Sequence, residues 1–277
     1  MEHQTHTPTA LLLGGDGRVC YAEEALIKAG CRTALYAHTG KPAFPCQPID
    51  ADLLILPLPL TRDGETLNAP HSAAPVPLLA LLSLLHKGQT VVGGLFPPQW
   101  AEEFAKRGVR ICDPLGDEAF AAANALSTAE GAIALAIAET PDLLYGCTCG
   151  ILGYGRIAKQ LAPRLAALGA RLTVYARSAA AREEAMTRRY AAKALTELQD
   201  GEHFPDLLFN TIPHRLFDWG KLLPEGAKVI DLAPIYPADG NRVIRGAALP
   251  SVYSPRFAGN LLGQWAYARL QEQEGEQ

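Results

Sequence analysis

Much of what a chain of 277 residues can carry is missing from this one. Its six cysteines stand at 20, 31, 46, 112, 147 and 149, without a Cys-x-x-Cys, and Cys147 and Cys149 flank a single Thr148. That spacing suits neither a zinc knuckle nor a redox pair, so reduced thiols in a cytoplasmic protein are expected. The seven histidines form no His-Glu-x-x-His, and no metal is expected. Lys and Arg number 25 against 29 Asp and Glu, a net charge of −4, which leaves no basic footprint for nucleic acid. Apolar runs such as Leu78 to Leu85, broken by Ser83, fall short of a bilayer span, so no membrane association is expected. The first six residues have neither a basic n-region nor an apolar h-region, so no signal peptide is expected. What remains is a soluble composition, 48 % apolar and 19 % charged, long enough for one large domain or two of ordinary size.

The segment that carries information is Cys149-Gly150-Ile151-Leu152-Gly153-Tyr154-Gly155-Arg156-Ile157-Ala158, followed by Leu172-Thr173-Val174-Tyr175-Ala176-Arg177-Ser178. It predicts strand, glycine turn, helix and second strand, the opening of a dinucleotide-binding unit. Gly153 allows the tight turn, Gly155 lets the backbone approach a pyrophosphate, and Ala158 permits close packing of helix on strand. The helix start, including Tyr154, Arg156 and Ile157, offers N–H groups and a positive dipole end to the phosphates. An NAD site usually carries Asp or Glu at the second strand's tip, about 20 residues on. Here the tip carries Arg177 and Ser178, a guanidinium and a hydroxyl suited to a 2′-phosphate, so NADP is expected, with NAD still possible.

Strands alternate with helices along the rest of the chain, which predicts an α/β fold of two Rossmann-like domains with parallel sheets. The nucleotide site would lie in the second, with a cleft between the two. Expected boundaries are 1–127 for a substrate domain, 128–254 for the nucleotide domain, and 255–277 for a terminal helix packing back on the first. Ser127-Thr128-Ala129-Glu130 reads as a capping box that starts the connecting helix. A short strand is expected near Ala248. Pro255 after Ser254 opens the last helix, with Phe257, Leu261, Leu262 and Trp265 on its apolar face. Gly14-Gly15-Asp16-Gly17-Arg18 looks like a second phosphate loop, but its glycines are out of register with the following helix, so a structural turn is expected.

Ligands of such sheets meet the carboxyl ends of the strands. Asn210-Thr211-Ile212-Pro213-His214 ends one predicted strand, and Thr211, Ile212 and Pro213 are expected to line the nicotinamide side. His214 is the candidate general base. Asp231 ends the next strand and is a candidate for the nicotinamide amide or a substrate, or for capping a turn. Asp16 and Arg18 face a possible crevice in the first domain. Thr128, at the expected helix start, and Arg256, placed against its own helix dipole, are candidates for substrate anions, with Glu130 beside the first.

Taken in order, these pieces resemble the dipicolinate synthase A subunit over nearly the whole length. The resemblance rests on Gly14-Gly15-Asp16-x-Arg18, Ile55-Leu56-Pro57-x-Pro59, Asn124-Ala125-Leu126-x-Thr128-Ala129-Glu130-Gly131-Ala132-Ile133 and Leu152-Gly153-Tyr154-Gly155-Arg156. It continues through Ala167-Leu168-Gly169-Ala170, Ala176-Arg177-Ser178, Asn210-Thr211-Ile212-Pro213, Val229-Ile230-Asp231-Leu232-Ala233 and Pro255-x-x-Ala258-Gly259. It implies an oxidoreductase of spore formers, acting with a flavoprotein-like B subunit on a dihydro- or hydroxytetrahydro-pyridine dicarboxylate from the lysine pathway, and it leaves homo-oligomerisation open. A small dicarboxylate would call for Arg18, Thr128 and Arg256. The chain departs from the pattern at Arg256, where Lys is expected, along Leu249 to Tyr253, and at Pro234-Ile235-Tyr236-Pro237. Two alternatives stay open: a D-2-hydroxyacid dehydrogenase, whose Arg–Glu–His triad has no counterpart after Asp231, and an NADP-binding partner protein without catalysis.

Overall fold

The computed structural model describes residues 7–46, 49–200, 204–214, 216–233, 240 and 242–275. The chain forms two compact units, Met1–Ala121 with Pro255–Gln277, and Ala122–Ser254.

The first unit runs β1 (Thr9–Leu13), α1 (Arg18–Lys28), β2 (Arg32–Tyr36), β3 (Leu53–Ile55), α2 (Leu78–Leu81), β4 (Thr90–Val92), α3 (Pro98–Lys106) and β5 (Arg110–Cys112). The apolar run Leu78 to Leu85 forms α2 and then a 3₁₀ turn at Leu82–Leu84. All strands pair in parallel, in the order β2-β1-β3-β4-β5. Strand side chains alternate faces. Leu12 and Ile55 enter one apolar cluster with Leu26 of α1, and Leu11, Leu13 and Leu54 enter another with Phe104 of α3.

Helix α4 (Glu118–Glu139) carries the chain into the second unit. It is one uninterrupted helix, so Ser127-x-x-Glu130 starts nothing. Its start is capped at Asp117, whose Oδ1 accepts the Phe120 N–H at 3.0 Å. The unit boundary accordingly falls at Ala121/Ala122, ahead of the expected residue 127. By length and composition α4 is long and apolar enough to cross a bilayer, which the scan for apolar runs missed. Its Ala129, Ala132 and Ala136 are fully buried in the second unit's core.

The second unit continues with β6 (Thr148–Leu152), α5 (Arg156–Ala167), β7 (Arg171–Tyr175), α6 (Ala179–Thr187), β8 (Ala191–Lys193), α7 (Glu197–Asp200), β9 (Leu207–Asn210), α8 (Trp219–Leu222), β10 (Lys228–Asp231), β11 (Val243–Arg245) and α9 (Leu249–Tyr253). The last strand lies ahead of Ala248, which takes a left-handed φ of 53° and opens α9 instead. Sheet order is β11-β10-β9-β6-β7-β8, all parallel. Strand order therefore reverses between β6 and β9, as in a dinucleotide-binding fold.

Helix α10 (Pro255–Gly275) belongs to the first unit and packs on α1. A Cβ on Gly259 would lie 2.3 Å from the Arg18 carbonyl oxygen, and one on Gly263 2.6 Å from that of Ala22. Glycine is what lets the two backbones touch. The buried stripe is Ala258, Leu262, Ala266 and Leu270; Phe257, expected on that face, is largely exposed. Trp265 Nε1 donates to Asp117 Oδ2 at 3.0 Å, tying α10 to the start of α4.

Candidate functional site

In the second unit the glycine turn joins β6 to α5 at the switch point. Gly153 has φ +85°, and its N–H donates to the Tyr175 carbonyl of β7 at 2.8 Å. A Cβ there would sit 3.0 Å from Thr211 Oγ1 and from Ile212 Cγ1, so the turn presses on the β9 loop. Gly155 is different. Its backbone is extended (φ −87°, ψ −165°), and a Cβ would meet no atom of the described residues within 4 Å. Gly155 also stands at the N-cap without a side-chain cap, so no carboxylate guards the first turn of α5. Arg156 is exposed, Ile157 is half-buried, and Ala158 is fully buried against the sheet. Tyr154 contributes backbone only: its side chain is 7 % exposed and packs into the core, burial pushes its phenol up, and its hydroxyl has no hydrogen-bond partner among the described residues.

At the tip of β7, Arg177 is exposed and its guanidinium is unpaired among the described residues. Ser178 is the N-cap of α6, its Oγ accepting the Ala181 N–H at 3.4 Å. The hydroxyl expected for a phosphate thus also starts a helix. Arg182, which sequence reasoning missed, donates from Nη1 to the carbonyls of Ala176 and Arg177, 2.8 Å each. Only the fold brings its head back to that tip.

Across the switch point, the ends of β9 and β10 form a buried network. Asp231 is 1 % exposed, and its Oδ1 accepts from Asn210 Nδ2 at 2.8 Å and from the Ala233 N–H at 3.3 Å. Asn210 Oδ1 in turn accepts the Ile212 N–H at 3.2 Å, while Thr211 Oγ1 donates to the Leu152 carbonyl at 2.7 Å. Of the roles open to Asp231, these bonds favour the turn: its Oδ1 helps shape the loop that carries Thr211, Ile212 and Pro213. Asn210, buried at 2 %, is the positioning residue that the search for charged side chains passed over. His214 is exposed, and among the described residues no side chain fixes its ring.

The substrate candidates do not all behave as expected. Thr128 is mid-helix and 8 % exposed, its hydroxyl donating back to the Asn124 carbonyl at 3.0 Å, so no helix terminus exists there to hold an anion. Glu130 is exposed and sits 3.5 Å from Arg164 Nε. In the first unit Arg18 is engaged by Asp16 in a two-point fork, Nε to Oδ1 at 2.8 Å and Nη2 to Oδ2 at 2.9 Å. Both line a pocket with Gly14, Leu56, Pro57 and Leu58, where strand order reverses between β1 and β3. Arg256 is exposed on the first turn of α10, 5.8 Å from the Tyr21 ring centroid. The departure expected at Pro234 to Pro237 lies outside the described residues.

Residues 9–115 match the family model for the N-terminal domain of the dipicolinate synthase A subunit, and residues 127–209 that for the NAD binding domain of D-isomer specific 2-hydroxyacid dehydrogenases. The dipicolinate synthase A subunit of Bacillus subtilis (strain 168) is 29 % identical over 166 residues, covering 55 % of this chain and 56 % of that protein, so the alignment spans about half of the relative. Two crystal structures described as the A chain of dipicolinate synthase share the fold. That from Bacillus halodurans has a TM-score of 0.83 at 20 % identity over 95 % of this chain and 98 % of that one. That from Bacillus subtilis has 0.82 at 22 % over the whole of both. A transhydrogenase from Sinorhizobium meliloti follows at 0.63 and 15 %, covering 94 % of each. The resemblance read from the sequence is thus met at three levels: family model, relative and fold.

Proposed function

We propose that this chain is an oxidoreductase subunit of the dipicolinate synthase A type. It would oxidise dihydrodipicolinate, or its hydroxytetrahydro precursor after loss of water, to dipicolinate with NADP during spore formation in the cytoplasm. The observation that carries the reading is the turn at Gly153–Gly155, open beside Gly155 and uncapped at α5, at the point where strand order reverses. These residues fit a dinucleotide: the turn takes the pyrophosphate, Arg177 takes a 2′-phosphate, and the Asn210–Asp231 network holds Thr211, Ile212 and Pro213 as the wall of the nicotinamide site. When bound, the nicotinamide supplies a hydride acceptor.

The balance is simple. One ring C–H of the dihydropyridine leaves with its electron pair, a second hydrogen leaves as a proton, and the ring becomes aromatic. His214 at the end of β9 is the proton acceptor in this reading. Asp16, Arg18, Glu130 and Arg256 remain the candidates around the two substrate carboxylates, and Thr128 supports them only through the helix it sits in. A flavoprotein-like B subunit is the expected partner. The match over residues 127–209 suits a D-2-hydroxyacid dehydrogenase as well, but Leu232 and Ala233 follow Asp231 where the triad arginine would be needed.

The test is reduction of NADP by purified chain on addition of dihydrodipicolinate, with and without a B subunit, beside a D-2-hydroxyacid panel. Formation of NADPH only with the dihydropyridine supports the reading. Turnover of the hydroxyacids alone, or calorimetry showing no dinucleotide bound at all, would sink it.

A further inference from the structure

We infer that Arg182 is the positioning residue that makes the β7 tip accept a 2′-phosphate, an inference that rests on the dinucleotide reading above. A tip built from Tyr175-Ala176-Arg177-Ser178 has no carboxylate, but it does have carbonyl oxygens, whose partial negative charge disfavours a nearby phosphate, though more weakly than a carboxylate would. Arg182 removes that repulsion. Its Nη1 draws in the carbonyls of both Ala176 and Arg177 at 2.8 Å, while the Ala176 N–H is tied to the Lys193 carbonyl of β8 at 3.1 Å. The backbone under Arg177 is thereby fixed from both sides. The Arg177 side chain, left unpaired among the described residues, projects from a tip with its carbonyls satisfied.

The helix geometry adds to this. Arg182 lies on the first turn of α6, where a cation is disfavoured by the helix's own dipole. Its charge is balanced by the two carbonyls, and Nε and Nη2 make no hydrogen bond among the described residues. Two acidic neighbours are engaged elsewhere: Glu184 is 2.9 Å from Lys159 Nζ, and Glu197 accepts the Ala194 N–H at 2.6 Å; the exposed Glu183 makes no ion pair with Arg182. A lysine could supply the charge but not a planar head bridging two carbonyls.

The test is calorimetric binding of NADP and of NAD to the full chain, as wild type, Arg182→Leu and Arg182→Lys, with 2′-AMP as the phosphate-bearing fragment. Loss of the clamp on the two carbonyls should misplace Arg177 against the phosphate and weaken NADP and 2′-AMP by about ten- to a hundredfold in Arg182→Leu. NAD should change by no more than about twofold, since it carries no 2′-phosphate to contact. Arg182→Lys should recover only part of the loss, and it carries the test if Arg182→Leu does not fold. Equal weakening of both cofactors, no weakening of NADP, or full recovery by lysine would overturn the inference. If wild type binds neither dinucleotide, it is the proposed function that fails, not the assignment of Arg182 within it.

Discussion

The chain builds the same strand–glycine–helix turn twice, and the two copies spend their amides differently. Gly14 and Gly153 both have positive φ, +71° and +85°, and both donate to a tyrosine carbonyl at the end of the neighbouring strand, Tyr36 at 3.0 Å and Tyr175 at 2.8 Å. Beyond that first glycine the turns diverge. In the first unit the Gly15 N–H is spent on the Asn68 carbonyl at 3.0 Å, and Leu67 lies against Gly14. Asp16 then places its carboxylate on the Arg18 N–H at 3.2 Å and grips the Arg18 side chain. In the second unit no carboxylate of the described residues occupies the helix start; a Cβ on Gly17 or on Gly155 alike would meet no described atom within 4 Å, so the carboxylate and the spent amide make the difference. A glycine-rich turn is therefore not a phosphate site by composition. It becomes one when its amides and its small residue are left unused by the rest of the fold.

The largest effects should separate the two turns cleanly. Gly14→Ala puts a Cβ 2.7 Å from Leu67 Cδ2 at a left-handed φ, and strain plus overpacking should cost about 3 kcal/mol of stability in denaturant unfolding. Dinucleotide affinity of the folded fraction should not change. Gly155→Val is the reverse case. Its φ of −87° suits any residue and its Cβ meets nothing, so the melting temperature should hold while NADP affinity falls about a hundredfold, as the backbone loses its approach to the phosphates. Swapped outcomes, with Gly14→Ala hurting binding or Gly155→Val hurting folding, would break the comparison.

What could be read from the sequence follows the same line. Short-range chemistry was legible: glycine turns, apolar strands, and the Pro255 helix start all depend on neighbours a few residues away. The Ser127-x-x-Glu130 pattern misled because a capping box reads only four residues, and nothing in those four shows that Glu118 to Leu126 is already helical. For Asp231 the sequence left a ligand and a turn as alternatives, because its partner Asn210 lies on the neighbouring strand. Arg182 was invisible because its role exists only once α6 has folded back on the β7 tip. Asp16 and Arg18 were placed at a possible crevice, but their mutual fork, a pair of opposite charges, could not be read from two residues two positions apart.

Asp16→Ala sharpens the comparison by stripping the first turn of its guard. Losing a cap and a part-buried fork should lower stability by about 1–2 kcal/mol. It should not create a second dinucleotide site, because the Gly15 N–H stays with Asn68; a binding stoichiometry of two per chain would mean the carboxylate alone had closed the turn.

The smallest effect is a titration at the same place. His38, after β2, stacks 5.0 Å from His71 and lies 3.8 Å from Cys20 Sγ. Burial, and then the His71 ring, hold its imidazole below the ordinary value of 6.5, against the opposing pull of Asp16 and Glu23. The unfolded chain therefore takes up this proton before the folded one does as pH falls through 6.5. In the window just below that value the first unit should lose stability, and above it the histidine should have no effect. His38→Gln should flatten that part of the profile in urea unfolding followed at a series of pH values. His38 belongs to the first unit, so His38→Gln should leave the signal of a probe at the second unit's turn unchanged. No flattening in His38→Gln, or an upward step for the first unit on acidification, would show that His38 is not held neutral by its surroundings.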